Sequence, residues 1–201
     1  MNVLVVSAHP APESLCRTLQ ESVVNVLNQA GHTLRHHDLY LEQFDPVFTS
    51  FERLNHTGPA EVKLQQFPEL RPYVENLQWC EALVLVYPTW WSGQPAILKG
   101  WFDRILMSGV AWVLPEGAAR ISPALTNVRK LVVVTTHGSS KLVNAIEGEG
   151  GKRTAFRSVR LMFHPRARST WLAFYGVDHS SENARTRFIR RVERKIVRAL
   201  G

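Results

Sequence analysis

Three short segments place side chains capable of chemistry next to turn-forming residues: Ala8–Ser14 (AHPAPES), Pro88–Gln94 (PTWWSGQ) and Thr135–Ser140 (TTHGSS). In the first, His9 offers a ring nitrogen and Ser14 an N-cap hydroxyl. If a helix follows, its free amide hydrogens and positive dipole end suit a phosphate. A capped turn with an incidental histidine accounts for the same residues. In the second, Trp90 and Trp91 stand in a loop bounded by Pro88 and Pro95, with Gly93 permitting a turn. Adjacent side chains in an extended loop point in opposite directions, so one indole can face a flat heterocycle while the other packs inward. Both filling a core is the competing reading. The third offers the Thr135 and Thr136 hydroxyls, the His137 imidazole and the backbone around Gly138, a set suited to the polar edge of a heterocycle. His137 is a candidate proton donor, because imidazole titrates near neutral pH; a loop histidine making one backbone hydrogen bond is the bland alternative.

Other chemistries lack their signatures. Neither GxGxxG nor GxxxxGK[ST] occurs, and no GxSxG elbow is present. His36 and His37 fall in a strand pattern without metal-ligand spacing, so no metal site is expected. No nucleic-acid-reading motif is found, and no nucleic-acid partner is expected.

Five segments rich in β-branched residues and leucine must position these loops: Asn2–Ala8, Thr33–Leu39, Ala82–Tyr87, Leu131–Thr136 and Thr170–Tyr175. Continuous apolar runs of this length suit strands buried on both faces of a parallel sheet. Between them, helical spacing links Leu15, Leu19, Val23, Leu27 and Ala30, with Gly31 placed as a C-cap. Further helices are expected over Leu70–Trp79, Pro95–Met107, about Thr154 to Phe163, and Asn183–Leu200, the last with a stripe through Phe188, Val192, Ile196 and Leu200. Phe44–Pro68 shows little periodicity and reads as an excursion with short helical pieces. The alternation predicts an α/β three-layer sandwich with a five-stranded, mostly parallel sheet, residues 1–201 forming one domain. In such sheets ligands bind beyond the carboxyl ends of the strands, where all three loops fall. Lys99, Trp101, Asp103 and Arg104 lie on the helix after the tryptophan loop and are read as structural.

At 201 residues, with 45% apolar and 20% charged residues, the composition is that of an ordinary globular chain. No apolar run approaches the roughly 18 residues of a membrane span, and the N-terminus lacks the basic flank of a signal peptide. Cys16 and Cys80, the only cysteines, build no disulfide or zinc pattern, which favours a reducing compartment, the cytoplasm. The net charge of +7 is uneven: residues 1–150 hold 11 basic and 14 acidic groups, residues 151–201 hold 13 and 3. Such a basic quarter fits an anionic partner or, more simply, a solvated helix face.

Four segments occur in order: VVSAHPAPESL, DLYLEQFDPVFT, YPTWWSGQPAILKGWFDRI and VVVTTHGSS. Together they resemble the NAD(P)H:quinone oxidoreductase (DT-diaphorase) branch of the flavodoxin-like flavoproteins, including its bacterial quinone-reductase members. The resemblance runs from about Asn2 to Gly138 and is most specific at PAILKGWFDR. It implies a noncovalent FAD, with FMN the alternative; the DLYLEQFDPVFT excursion is shared with the FAD-using branch. It also implies NAD(P)H as hydride donor, a quinone-like acceptor reduced by two electrons in a two-step exchange, and a homodimer without membrane insertion. Carried over by motif, His9, Ser14, Leu15 and Cys16 meet the flavin phosphate end or ribityl chain. Pro88, Thr89, Trp90, Trp91 and Ser92 run beside the isoalloxazine, with Trp91 at the flavin-contacting position. Thr135, Thr136, His137 and Gly138 meet the ring's polar edge.

Two departures stand out. The family often has Phe-Asn where this chain has Leu15-Cys16. Its TTGG loop is followed by a tyrosine and a histidine implicated in proton relay; here the loop is TTHG, and the aligned positions fall on Val143 and Glu149. No tyrosine lies between His137 and Phe174. On this reading either His137 replaces the relay or backbone amides alone stabilise the flavin anion. A flavin-binding regulatory subunit that docks on a membrane transport system or other partner is the alternative function.

Overall fold

The computed structural model describes residues 1–201. The chain runs β1 (Asn2–Ser7), α1 (Leu15–Gln29), β2 (Thr33–Asp38), α2 (Ser50–Leu54), α3 (Ala60–Gln66), α4 (Arg71–Trp79), β3 (Ala82–Thr89), α5 (Ala96–Ile105), β4 (Trp112–Val113), β5 (Ser122–Pro123), β6 (Lys130–His137), α6 (Lys141–Ile146), α7 (Gly150–Arg157), β7 (Arg168–Tyr175) and α8 (Glu182–Leu200). The five expected strands form one sheet in the order β2-β1-β3-β6-β7, and every pairing in it is parallel. The two-residue strands β4 and β5 pair antiparallel outside it.

Alternate residues of each central strand serve two cores, which is why the strands read as unbroken apolar runs. Val3 and Val5, Val84 and Val86, and Val132 and Val134 face α1 and α8, where Leu19, Val23, Leu27, Phe188, Val192, Ile196 and Leu200 close the layer. Leu4 and Val6, Leu83 and Leu85, and Leu131 and Val133 face the other layer, built by α4, α5 and the chain around α7. Each of the large apolar side chains buried here contributes about 1.5–3 kcal/mol. The chain steps from β1 to β2 on one side and then crosses to β3 on the other. Strand order therefore reverses between β1 and β3, and the loops at their carboxyl ends splay apart to leave a crevice.

The excursion after β2 is pinned to α5. Arg104, only 1% exposed, donates from Nε to Glu52 Oε1 at 2.8 Å and from Nη1 to the Asp45 carbonyl at 2.9 Å, and its guanidinium stacks over Phe67. Gly100 meets the backbone of Pro46 so closely that a Cβ there would lie 2.3 Å from the Pro46 oxygen. Trp101 is fully buried, and Lys99 pairs with Asp103 at 2.6 Å on the outer face. These residues of PAILKGWFDR are structural, as their helical placement predicts.

Two expectations change. The helix expected over about Thr154 to Phe163 begins earlier, at Gly150, and ends at Arg157; Val159–Met162 is a 3₁₀ turn. Helix α6 was not expected, because its polarity is inverted. Leu142 and Ile146 point to solvent while Asn144 is buried, so the apolar residues carry no signal of an inward face.

Candidate functional site

The three sequence-singled loops meet at the crevice between β1 and β3, around a cavity of about 1000 Å³. Ten of the sequence-predicted residues line it: His9, Ser14, Leu15, Cys16, Pro88, Thr89, Trp90, Trp91, Thr136 and Gly138. His137 and Ser92 line a smaller recess of about 430 Å³ next to it, which shares Thr89, Trp91, Gly138 and Ser139. Thr135 is fully buried and reaches the site only through its hydrogen bond to Thr89.

One end of the cavity is the start of α1. Ser14 caps the helix, its Oγ accepting from the Arg17 amide at 3.1 Å and donating to the Ala11 carbonyl at 3.0 Å. Ser14 thereby fixes the tight turn that aims the first free amides of α1 into the space. His9 Nδ1 accepts from the Ala11 amide at 3.0 Å, and partial burial pulls its pKa below the ordinary histidine value. The neutral ring keeps Nε2 free. Cys16 is buried, and its thiol is pushed up to about 12, so it stays protonated.

The tryptophan loop is a two-residue hairpin rather than an extended segment. The Trp90 amide bonds the Gly93 carbonyl at 3.1 Å and the reverse bond is 3.0 Å, with Trp91 and Ser92 at φ of +49° and +58°. Two left-handed residues in succession are the signature of a type I′ turn, a conformation that Asn-Gly adopts more cheaply. The strained tip is held from the other side: the Ser92 carbonyl accepts from the Gly151 amide at 2.7 Å, Ser92 Oγ donates to Glu147, and Gln94 Nε2 reaches the Gly151 carbonyl at 2.8 Å. The turn throws Trp91 entirely into solvent, 103% exposed, while Trp90 is about half-covered. The opposite-sides argument for an extended loop is thus replaced by a turn that leaves both indoles on the cavity wall.

At the end of β6 the hydrogen bonds define a tautomer. Asn144 Nδ2 donates to the Ser140 carbonyl at 2.8 Å, leaving Oδ1 to accept from His137 Nδ1–H at 2.6 Å. His137 Nε2 then accepts from the Thr89 hydroxyl at 3.3 Å, and Thr89 accepts from Thr135 at 2.8 Å. Burial lowers the His137 pKa, outweighing the bond to Asn144. The imidazole is neutral at pH 7, with Nδ1 bonded to Asn144 and Nε2 to Thr89. Tyr175, paired with His137 in the β6–β7 register, stacks on the ring with centroids 4.5 Å apart and planes at 26°. Its hydroxyl donates to Glu149 at 3.3 Å. Tyr175 lines neither cavity.

Glu13, Ser139, Val177, Asp178 and Arg185 also line the main cavity and were not singled out by sequence. Val177 and Asp178 come from the connection into α8 and Arg185 from the first turn of that helix, far beyond the last recognisable motif. Asp178 lies over the β6 loop so closely that a Cβ on Gly138 would meet its Oδ2 at 2.7 Å. Arg185 is held by Ser180 Oγ at 2.8 Å and the Val177 carbonyl at 3.3 Å. Nothing distinguishes it in sequence from the other basic groups of that quarter.

The flavodoxin-like fold family matches residues 1–195. The chain belongs to that family. Among curated relatives it is 31% identical over 155 residues to a ribosyldihydronicotinamide dehydrogenase-like protein of Penicillium crustosum, covering 69% of this chain and 58% of that one. It is 28% identical over 163 residues to NAD(P)H dehydrogenase [quinone] 1 of Cavia porcellus, covering 74% and 57%. The chain thus spans somewhat over half the length of these two relatives. Among solved structures, the NAD(P)H:quinone oxidoreductase of Methanothermobacter marburgensis superposes with a TM-score of 0.78 at 25% identity, covering 100% of this chain and 99% of the other. The identities establish homology to this group of oxidoreductases; they do not single out the branch named from the motifs.

Proposed function

We propose that the chain, acting as one unit over residues 1–201, is a flavin-dependent oxidoreductase that draws hydride from NAD(P)H and reduces a quinone or similar flat acceptor by two electrons. The observation that carries this reading is the crevice between β1 and β3, which has a helix N-terminus at one end and an aromatic wall with a hydroxyl-lined edge at the other. Its roughly 1000 Å³ accommodates a flavin nucleotide. The donor set matches as well: amides of α1 for a phosphate, Pro88, Trp90 and Trp91 for the ring faces, and Thr136 with the backbone of Gly138 and Ser139 for the ring's polar edge. Arg185, the one arginine or lysine on this cavity, stands there with the carboxylates of Glu13 and Asp178 and is assigned to the diphosphate of FAD, a contact that the single phosphate of FMN does not require.

A flavin held by these residues would supply two-electron hydride chemistry to the site. The protein supplies orientation and a fixed electrostatic environment. Trp91, at the tip of a turn tied down at Ser92, forms one wall of the slot that the nicotinamide and the acceptor occupy in turn. The Thr135–Thr89–His137–Asn144 chain fixes the Thr89 hydroxyl at the junction of the two recesses. His137 is assigned to positioning Thr89, with the proton for the acceptor taken from solvent at the open mouth. The exposed apolar side chains of Trp91 and, on α6, of Leu142 and Ile146 are assigned to the contact of a homodimer. Two unpaired cysteines support a reducing, cytoplasmic setting, and no helix is long and apolar enough to cross a membrane.

The test is consumption of NADH and NADPH by flavin-loaded protein with and without a soluble quinone. Quinone-dependent oxidation of either nicotinamide is expected. Flavin-loaded protein that oxidises neither, with any of several quinones, would remove the catalytic reading.

A further inference from the structure

Helix α8 buries Phe188, Val192, Ile196 and Leu200 against the sheet and α1. On the opposite side it presents Arg187, Arg190, Arg191, Arg194, Lys195 and Arg198, all exposed. At 100° per residue these six fall within an arc of roughly 140° and along about 16 Å of helix. None makes an ion pair. The one carboxylate among them, Glu193, is turned toward α1 and accepts from Ser22 Oγ at 2.7 Å. Lys130 bonds the Ala199 carbonyl at 2.8 Å, which brings the end of the stripe to the start of β6 and β7, where Arg129 and Arg168 are also exposed. Six unpaired cations in this spacing repel one another, and an exposed helix of ordinary composition interleaves Glu at i,i+4 to relieve that. Here the relief is absent, so the surface is arranged for an external polyanion.

We propose that the outward face of α8 is a reversible, electrostatic attachment surface for an anionic lipid bilayer. Three features favour lipid over a polynucleotide. The cations stand on the convex crest of a helix, and the groove beside it, where a nucleic-acid strand would run, carries Glu21 and Glu193. No aromatic ring is exposed along the stripe for base stacking. A flat surface of phosphate headgroups needs neither groove nor stacking groups. The apolar stripe of α8 is already committed to the core, so attachment involves no insertion. The choice of lipid also rests in part on the quinone reading above, since quinones with apolar tails partition into bilayers. α8 begins at the cavity, where Arg185 lines the wall, so attachment holds the mouth at the rim of the bilayer surface.

The experiment is co-sedimentation of the full flavin-loaded chain with vesicles of phosphatidylcholine alone or with roughly one-third phosphatidylglycerol. Binding is expected only to the acidic vesicles at low ionic strength, and its loss near 1 M salt follows from a Debye length of about 3 Å. Each surface cation is worth about fivefold in partitioning, so R190Q/R191Q/R194Q is expected to bind about a hundredfold more weakly, and R187Q/K195Q/R198Q similarly. Both triplets are solvent-facing, and an unchanged melting temperature verifies their fold. Equal binding to neutral vesicles, absence of binding to acidic ones, variants that bind like the parent, or tighter binding to a random DNA duplex than to acidic vesicles would each overturn the assignment. Sedimentation requires no turnover, so an inactive protein that still binds in this pattern upholds the surface while removing the quinone reading.

Discussion

Thr89 is the residue on which the site's polar network turns. Its hydroxyl accepts from Thr135 and donates to His137 Nε2, so Thr89→Val strands two buried groups at once. A loss of about 1–3 kcal/mol in urea unfolding is expected; an unchanged midpoint would show that the chain of bonds is not formed. His137 carries a pH signature as well. Burial holds its folded pKa below the unfolded value near 6.5, so the neutral form is the one the fold favours. The resulting stability is present above that unfolded value and is lost as pH falls through the folded pKa. His137→Gln, which keeps a donor and an acceptor, is expected to lose less stability than the parent between pH 7 and pH 5. Equal acid sensitivity in the two proteins would assign the effect to other groups, His36 among them, whose pKa is also lowered by burial. The sequence indicated His137 by type and place, yet its tautomer depends on Asn144, seven residues on and in a helix without an amphipathic signal. Residue type alone suggested a donor; burial favours its neutral form.

Elements placed the loops by rules that a single sequence carries well. Val and Leu runs marked β1, β3 and β6, and the stripe of α8 was legible because its apolar period is strict. Pieces whose local pattern conflicts with their role were not legible. Helix α6 turns Asn144 inward because His137 needs an acceptor, and β4–β5 is too short for alternation to register. The Trp91–Ser92 turn lacks the Asn-Gly chemistry of its type, since contacts from Gly151 and Glu147 hold it instead of intrinsic preference. The PAILKGWFDR helix is a clamp on the excursion, which makes two expectations. Gly100→Ala forces a Cβ to within 2.3 Å of the Pro46 oxygen and is expected to loosen the Phe44–Leu70 segment, seen as faster limited proteolysis there. Arg104→Ala leaves Glu52 buried and unpaired, at about 3–5 kcal/mol. Arg104→Lys keeps the charge without the fork that reaches both Glu52 and the Asp45 carbonyl, so an intermediate loss is expected. Matching stabilities for Ala and Lys would show that the charge contributes nothing.

At the scale of the molecule, the order β2-β1-β3-β6-β7 brings loops more than 40 residues apart in sequence to one crevice. That convergence was foreseeable from the alternation of strands and helices; the contribution of Val177, Asp178 and Arg185 was not, because it depends on how β7 hands the chain to α8. Leu142 and Ile146, exposed on α6, and the exposed Trp91 lead to a further expectation. If the proposed homodimer packs through these side chains, Ile146→Asp shifts the parent dimer to monomer in sedimentation velocity; a parent that already sediments as a monomer, or a variant that sediments like a dimeric parent, would remove that contact. The central claim is that the crevice is a flavin site, and titration of the stripped protein with FAD and FMN tests it most directly. Saturable binding is expected, with quenching of tryptophan emission that is largely lost in Trp91→Ala and weaker affinity in Arg185→Gln for FAD but not for FMN. A protein that takes up neither flavin, while remaining folded, would contradict the account.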